Sequence, residues 1–180
     1  MRVAIVTYGR TGSTSLFNYI QNSLQLHGIN EPYNTRVKRR FTEQDIWEKN
    51  LTVVKFMFPD TKFINKIQKT FDKIIYLTRE NHKEAAESHA HSTISDKWDK
   101  KYAYETPPAD YIDHYIIVKT KQKEFINSLG GFQVTYEEIY YRRTGIARIN
   151  KYLNINDSKF INILDLKNKY RQRLYTKSKI

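Results

Sequence analysis

The chain contains no cysteine. A disulfide framework and a thiolate metal site are therefore both excluded, and the composition fits a reducing compartment, with the cytoplasm as the expected location. No apolar run approaches the roughly 20 residues that a membrane-spanning helix needs. The opening MRVAIVTYGR is too briefly apolar to read as a signal peptide. Internal repeats and low-complexity tracts are also missing. Acidic residues are scarce beside basic ones, 19 Asp and Glu against 31 Lys and Arg, which leaves a formal net charge of +12.

A basic surplus of this size suits a polyanionic partner, whether nucleic acid, an anionic surface or a multiply phosphorylated small molecule. The basic residues nevertheless come in separate pieces: RVKRR at 36–40, KWDKK at 97–101, YYRRTGIAR at 140–148 and a tail from Lys167. Scattered pieces are also what an ordinary solvated surface presents. With 180 residues, 39% of them hydrophobic, the chain can bury a sizeable core and is expected to form one domain over 1–180.

The periodicity alternates between strand and helix. RVAIV is too apolar for an edge strand and predicts a buried one within MRVAIVTY. From Ser13 to about Leu26, Leu16, Phe17, Ile20 and Leu24 recur at helical spacing, and His27-Gly28 is expected to end that helix. NLTVVKFMF (50–58) predicts a second strand, 61–71 a helix, DKIIYLTR (72–79) a third strand and 81–91 a helix. Residues 92–110, polar and carrying Pro107-Pro108, predict a long loop or lid before an amphipathic helix that runs to residue 128. FQVTY (132–136) predicts a fourth strand, with a helical stretch beyond it to Leu153 and a basic tail over 167–180. Strands alternating with helices predict an α/β fold with a mainly parallel central sheet and right-handed crossovers.

Ligands of such sheets collect where strands end and helices begin. There the first helical turn has backbone N–H groups without internal partners and a partial positive charge. The first turn reads Gly9-Arg10-Thr11-Gly12-Ser13-Thr14-Ser15. The glycines allow a tight turn and a close approach to the backbone, the three hydroxyls add donors, and Arg10 adds a fixed cation. No lysine follows Gly12, which disfavours an ordinary kinase or NTPase loop of the GxxxxGK[ST] type. The alternative is a small-residue turn capped by Ser13 with no ligand. A second signal closes the third strand: in LTRENHKEAAES, Arg79 precedes Ser88 by nine positions. A cation at a strand's mouth and a hydroxyl about two helical turns later can bracket one phosphate. A surface ion pair and an exposed serine are the plain alternative.

Together these segments resemble the sulfotransferases that use 3′-phosphoadenosine 5′-phosphosulfate (PAPS). TYGRTGSTSL is similar to the loop with which that family grips the 5′-phosphosulfate, with Arg10 where many members carry lysine. LTRENHKEAAES is similar to their 3′-phosphate element, with Arg79 and Ser88 in the matching places. The spacing is closest to the bacterial carbohydrate sulfotransferases of the trehalose type; GINEPYN (28–34) resembles their "GEPF" segment and VTYEEI (134–139) their "V-x-Y-E-D-L". The resemblance spans residues 3–140. It implies a single-domain, P-loop NTPase-like α/β fold, PAPS as the donor, a hydroxyl acceptor such as a carbohydrate, and no metal. The implied nucleotide contacts are Gly9, Arg10, Thr11, Gly12, Ser13, Thr14, Ser15, Arg79 and Ser88.

Sulfuryl transfer places negative charge on the bridging oxygen of the leaving nucleotide, where a well-placed cation or N–H donor is worth about 2.7–4 kcal/mol. Arg10 is the expected group there, although a guanidinium stays protonated and cannot donate a proton as the family's lysine can. The "K-T-H" segment of cytosolic sulfotransferases, whose histidine takes the acceptor's proton, reads Lys55-Phe56-Met57 here. The carbohydrate-type enzymes place a glutamate in the "EPF" segment, where Glu31 stands. Glu31 is thus the expected base, with a loop carboxylate paired to Arg36 or Arg39 as the alternative. Lys55 is costly inside an apolar strand unless it finds a partner or emerges at the mouth, where it would contact the sulfuryl group. Tyr33 is expected to line the acceptor pocket, and the five histidines to be solvated or on substrate loops rather than around a metal. Acceptor selection is assigned to 31–49 and 92–110. Two other readings stay open: a basic nucleic-acid-binding α/β protein, and a nucleotide-binding relative without turnover.

Overall fold

The computed structural model describes residues 1–34, 41–58, 61–94 and 107–156. Five strands form one parallel sheet: β1 (Val3–Thr7), β2 (His27–Asn30), β3 (Thr52–Met57), β4 (Lys73–Thr78) and β5 (Phe132–Thr135), in the order β2-β3-β1-β4-β5. The helices are α1 (Ser13–Leu24), α2 (Glu43–Trp47), α3 (Thr61–Thr70), α4 (His82–Ile94), α5 (Ala109–Ser128), α6 (Tyr136–Tyr140) and α7 (Thr144–Leu153). The predicted α/β class and parallel sheet are those observed.

The central strand β1 is buried throughout, as its VAIVT sequence requires of a strand covered on both faces. Alternation sends Val3 and Ile5 to one face, where Leu16, Phe17 and Ile20 of α1 meet Ile139 of α6 and Ile146 and Ile149 of α7. Ala4, Val6 and Tyr8 point to the other face, against Trp47, Ile64, Ile67, Phe71 and Ile126. Each aliphatic side chain fully buried in these two layers contributes about 1.5–3 kcal/mol. Connections from β1 lead toward β2 and those from β4 toward β5, so neighbouring strands send their chains to opposite sides. The carboxyl ends of strands that part in this way are where an open α/β sheet binds its ligand.

Several boundaries differ from the sequence reading. The first helix stops at Leu24 with Gln25 left-handed, and His27-Gly28, expected as its stop, belongs instead to the short strand β2. Edge pairing with β3 specifies that strand more than its own composition does. The helical stretch after β5 is two helices, because Arg143 turns left-handed at φ 61 between them. The expected loop is shortened at both ends, as α4 continues to Ile94 and α5 begins at Ala109. Residues 95–106 of that loop, the RVKRR and KWDKK runs, the basic tail over 167–180, and Arg36 and Arg39 lie outside the described residues.

Candidate functional site

The turn after β1 is built from its own hydroxyls. Thr11 is fully buried; its Oγ1 lies 2.6 Å from Thr7 Oγ1 and 3.1 Å from the Tyr8 carbonyl. Thr11 thus shapes the loop from inside, and Ser13 is buried as well. Gly12 sits at φ 73, and a Cβ there would come within 2.6 Å of a Tyr140 ring carbon and 2.8 Å of one in Tyr136. Only glycine fits, on conformation and on space. Tyr140 donates its hydroxyl to the Gly12 carbonyl at 2.7 Å, and burial pushes its ionisation well upward, so it remains a neutral donor.

Arg10 is the one non-glycine residue of this turn with positive φ, at 71°. That conformation costs an L-residue roughly 1–2 kcal/mol. From it the guanidinium reaches α4, where Nε donates to Ser88 Oγ at 2.7 Å. Arg79, at the end of β4, reaches back from the other side: its Nη1 donates to the Arg10 carbonyl at 3.0 Å. The two ends are locked by Tyr8, whose hydroxyl accepts from the Arg79 N–H at 2.9 Å and donates to the Arg79 carbonyl at 3.2 Å. Burial raises the Tyr8 phenol to about 12, which keeps this donor in place. The two sequence segments thus converge on one point.

Arg79 itself is enclosed. Its Nη2 pairs with Glu84 at 2.6 Å, Nε lies 3.9 Å from Glu137, and the guanidinium stacks 4.4 Å from the centre of the Tyr136 ring. Glu137, from the VTYEEI segment, also accepts the N–H groups of Glu80 (2.8 Å) and Asn81 (3.2 Å) at the entry to α4. A phosphate approaching Arg79 therefore meets a neutralised cation, and only Glu84, nearly half exposed, is free to swing aside.

A second group forms one strand away. Asn30 pairs with Lys55 in the β2–β3 register, so the next residue, Glu31, stands at the mouth beside it, with its N–H on the Lys55 carbonyl at 3.1 Å. Strand alternation turns Lys55 away from the Val54 and Phe56 layer and toward α1. There its buried ammonium lies 2.7 Å from Glu31 Oε1 and 3.0 Å from Thr14 Oγ1. Burial works against both charges. In Glu31 it is outweighed by the Lys55 ammonium and by hydrogen bonds from Lys55 and Asn34, which hold the carboxyl below its ordinary value. In Lys55 burial prevails, and the ammonium is lowered despite Glu31. The intrastrand lysine thus has both the partner and the position that its cost demands.

Two residues escaped the sequence reading. Lys119 is 1% exposed on α5, with Nζ 3.4 Å from where a Gly9 Cβ would stand. It lies seven residues before buried Ile126, on the same helical face; that core-stripe position was the available signal, obscured by Lys121 and Lys123 nearby. His89, expected to be solvated or on a substrate loop, instead stacks on Tyr115 at 4.3 Å with Nδ1 3.6 Å from the same point by Gly9. Tyr33 donates to Glu43 and accepts from Trp47 Nε1 at 3.0 Å while packing on Phe63, an anchored position beside the Glu31 turn. Among the described residues no cluster of His, Asp or Glu is arranged to hold a metal, and no helix is long and apolar enough to cross a membrane.

No protein-family model and no curated protein matches the chain. Among solved structures, it is similar to an unliganded sugar kinase from Janibacter sp. HTCC2649, at 11% identity and a TM-score of 0.44, over 87% of this chain and 96% of that one.

Proposed function

We propose that the chain is a sulfotransferase that moves a sulfuryl group from PAPS to a hydroxyl acceptor such as a carbohydrate. The observation that carries this reading is the meeting of Arg10, Ser88 and Arg79 at the mouths of β1 and β4. These are the residues that the resemblance assigns to the two ends of that nucleotide. The cations of the site are also buried or half-buried, which favours a small anion over a polynucleotide lying on a face.

In this reading the acceptor oxygen attacks sulfur while the bond from sulfur to the bridging phosphate oxygen breaks. The acceptor's proton passes to the Glu31 carboxylate, and the electron pair of the broken bond stays on the departing adenosine 3′,5′-bisphosphate. Arg10 and the first N–H groups of α1 stabilise that oxygen. Lys55, poised between Thr14 and Glu31, turns to the incoming sulfuryl group. Its departure from Glu31 removes the charge that depresses the carboxyl and makes it a stronger base.

The test is a calorimetric comparison of adenosine 3′,5′-bisphosphate with AMP. The bisphosphate is expected to bind more tightly, and Arg79→Ala to erase the difference, a loss of about 1.5–3 kcal/mol for a charged hydrogen bond. Equal affinities in the unaltered protein would end the assignment.

A further inference from the structure

Lys119 is a cation inside the protein with nothing negative beside it among the described residues. Its neighbours come from four elements: the Arg10 side chain from the loop, the Tyr8 ring 5.5 Å away from the end of β1, His89 from α4, and Gln122, whose Oε1 accepts from Nζ at 3.3 Å, from α5 itself. No carboxylate acts on it among the described residues; burial and the positive charge of Arg10 both disfavour its charged form. Lys55 and Arg79, the other buried cations of this end of the sheet, each have a glutamate. A buried ammonium without a counter-charge destabilises a fold, so its presence calls for another source of compensation.

We infer that Lys119 binds a tetrahedral oxyanion against the Gly9 backbone, forming with Arg10 a two-cation clamp on the group that the loop receives. The lack of a Gly9 side chain leaves the ammonium 3.4 Å from where a Cβ would project, so an anion over that backbone would touch Nζ directly. Arg10 supplies a fixed charge, whereas Lys119 supplies a charge that can be lost. Its ammonium is lowered to about 8, so the second half of the clamp releases its proton in mildly alkaline solution. The clamp concerns the same loop as the proposed sulfuryl transfer and rests on that reading only for the identity of the anion.

The experiment uses inorganic sulfate and inorganic phosphate as probes, with unfolding midpoints recorded at constant ionic strength for the unaltered chain, Lys119→Met and Lys119→Arg. Salt effects on the whole surface are shared by all three and cancel in the comparison. The unaltered chain is expected to show a saturable rise in midpoint. Lys119→Met should weaken the apparent affinity by about 10-fold or more, as loss of a charged hydrogen bond implies. Raising the pH through about 8 should weaken binding to the unaltered chain, because the lysine becomes neutral, while Lys119→Arg stays insensitive.

The variant without anion adds a second readout. Between the folded value of about 8 and the ordinary 10.5, the unfolded lysine holds its proton and the folded one does not, so stability from this group rises with pH. Lys119→Met should therefore unfold at a higher temperature than the unaltered chain at pH 7, by a margin that narrows above pH 8. A lower midpoint at pH 7, an unchanged saturable response in Lys119→Met, or no saturable response in the unaltered chain would each overturn the clamp. A normal sulfate response with equal binding of AMP and bisphosphate would support the clamp and count against the nucleotide reading alone.

Discussion

Arg10 and Ser88 lie 78 positions apart in the chain and are joined by a 2.7 Å hydrogen bond from Arg10 Nε to Ser88 Oγ. The bond helps to offset the left-handed conformation of the Arg10 backbone, from which the side chain reaches α4. Strain of this kind persists where the surroundings over-determine it. Glu31 and Phe58, which follow β2 and β3, have positive φ too, so three strand mouths carry it.

The strained backbone separates stability from function at this residue. Arg10→Gly relieves a φ of 71 and removes the guanidinium. Its unfolding midpoint should be equal to or above that of the unaltered chain, while kcat for sulfuryl transfer falls about 10²–10³-fold, as for removal of one donor to a developing oxyanion. Arg10→Lys should retain part of the rate but none of the stability gain. A kcat unchanged in the glycine variant would place Arg10 outside the reaction.

The ion pair at Arg79 predicts an affinity gain from losing a residue. Glu84 holds Nη2 at 2.6 Å and competes with any phosphate for it. Glu84→Gln keeps the shape and removes the competing charge. The pair is nearly half exposed on its acidic side, so its worth is that of a surface bridge, about 0.2–1 kcal/mol. Adenosine 3′,5′-bisphosphate should therefore bind up to about 5-fold more tightly to this variant, with AMP unaffected. A weaker bisphosphate affinity in calorimetry would show that Glu84 positions Arg79 rather than masks it.

Local pattern made part of this site legible. The strand of β-branched residues before Gly9, the helical spacing after Ser13, and the arginine closing β4 each follow from neighbouring residues, and each stands where the sequence reading put it. Burial of Thr11 was not legible, because a hydroxyl that can face a ligand can equally close its own turn, as Thr11 does with Thr7 and the Tyr8 carbonyl. For Glu31, expected as the base with an arginine pairing as the alternative, the sequence did not reveal Lys55, which is supplied as a partner by strand register across β2 and β3, a long-range property. Lys119 was hidden for a similar reason. A lysine among lysines looks solvated until the neighbouring helix and the loop close over it.

The pair of Glu31 and Lys55 gives a prediction in which structure and chemistry can be told apart. Glu31→Gln preserves size and hydrogen bonding but removes the proton acceptor, so transfer should fall about 10²–10⁴-fold. It also leaves the buried Lys55 ammonium without its carboxylate, which lowers stability by itself. The double variant Glu31→Gln with Lys55→Met removes both charges and should recover the lost stability while remaining inactive. In the unaltered chain the Glu31 carboxyl is held below its ordinary 4.5, so its stabilising contribution is complete above that value and disappears as the pH falls through the lower folded one. The single variant should lack that acid limb. Unfolding midpoints from pH 3 to 7 and transfer rates on the same preparations decide the matter. Undiminished transfer in Glu31→Gln would move the base elsewhere. A double variant as unstable as the single one would mean that Glu31 stabilises the fold through contacts other than Lys55.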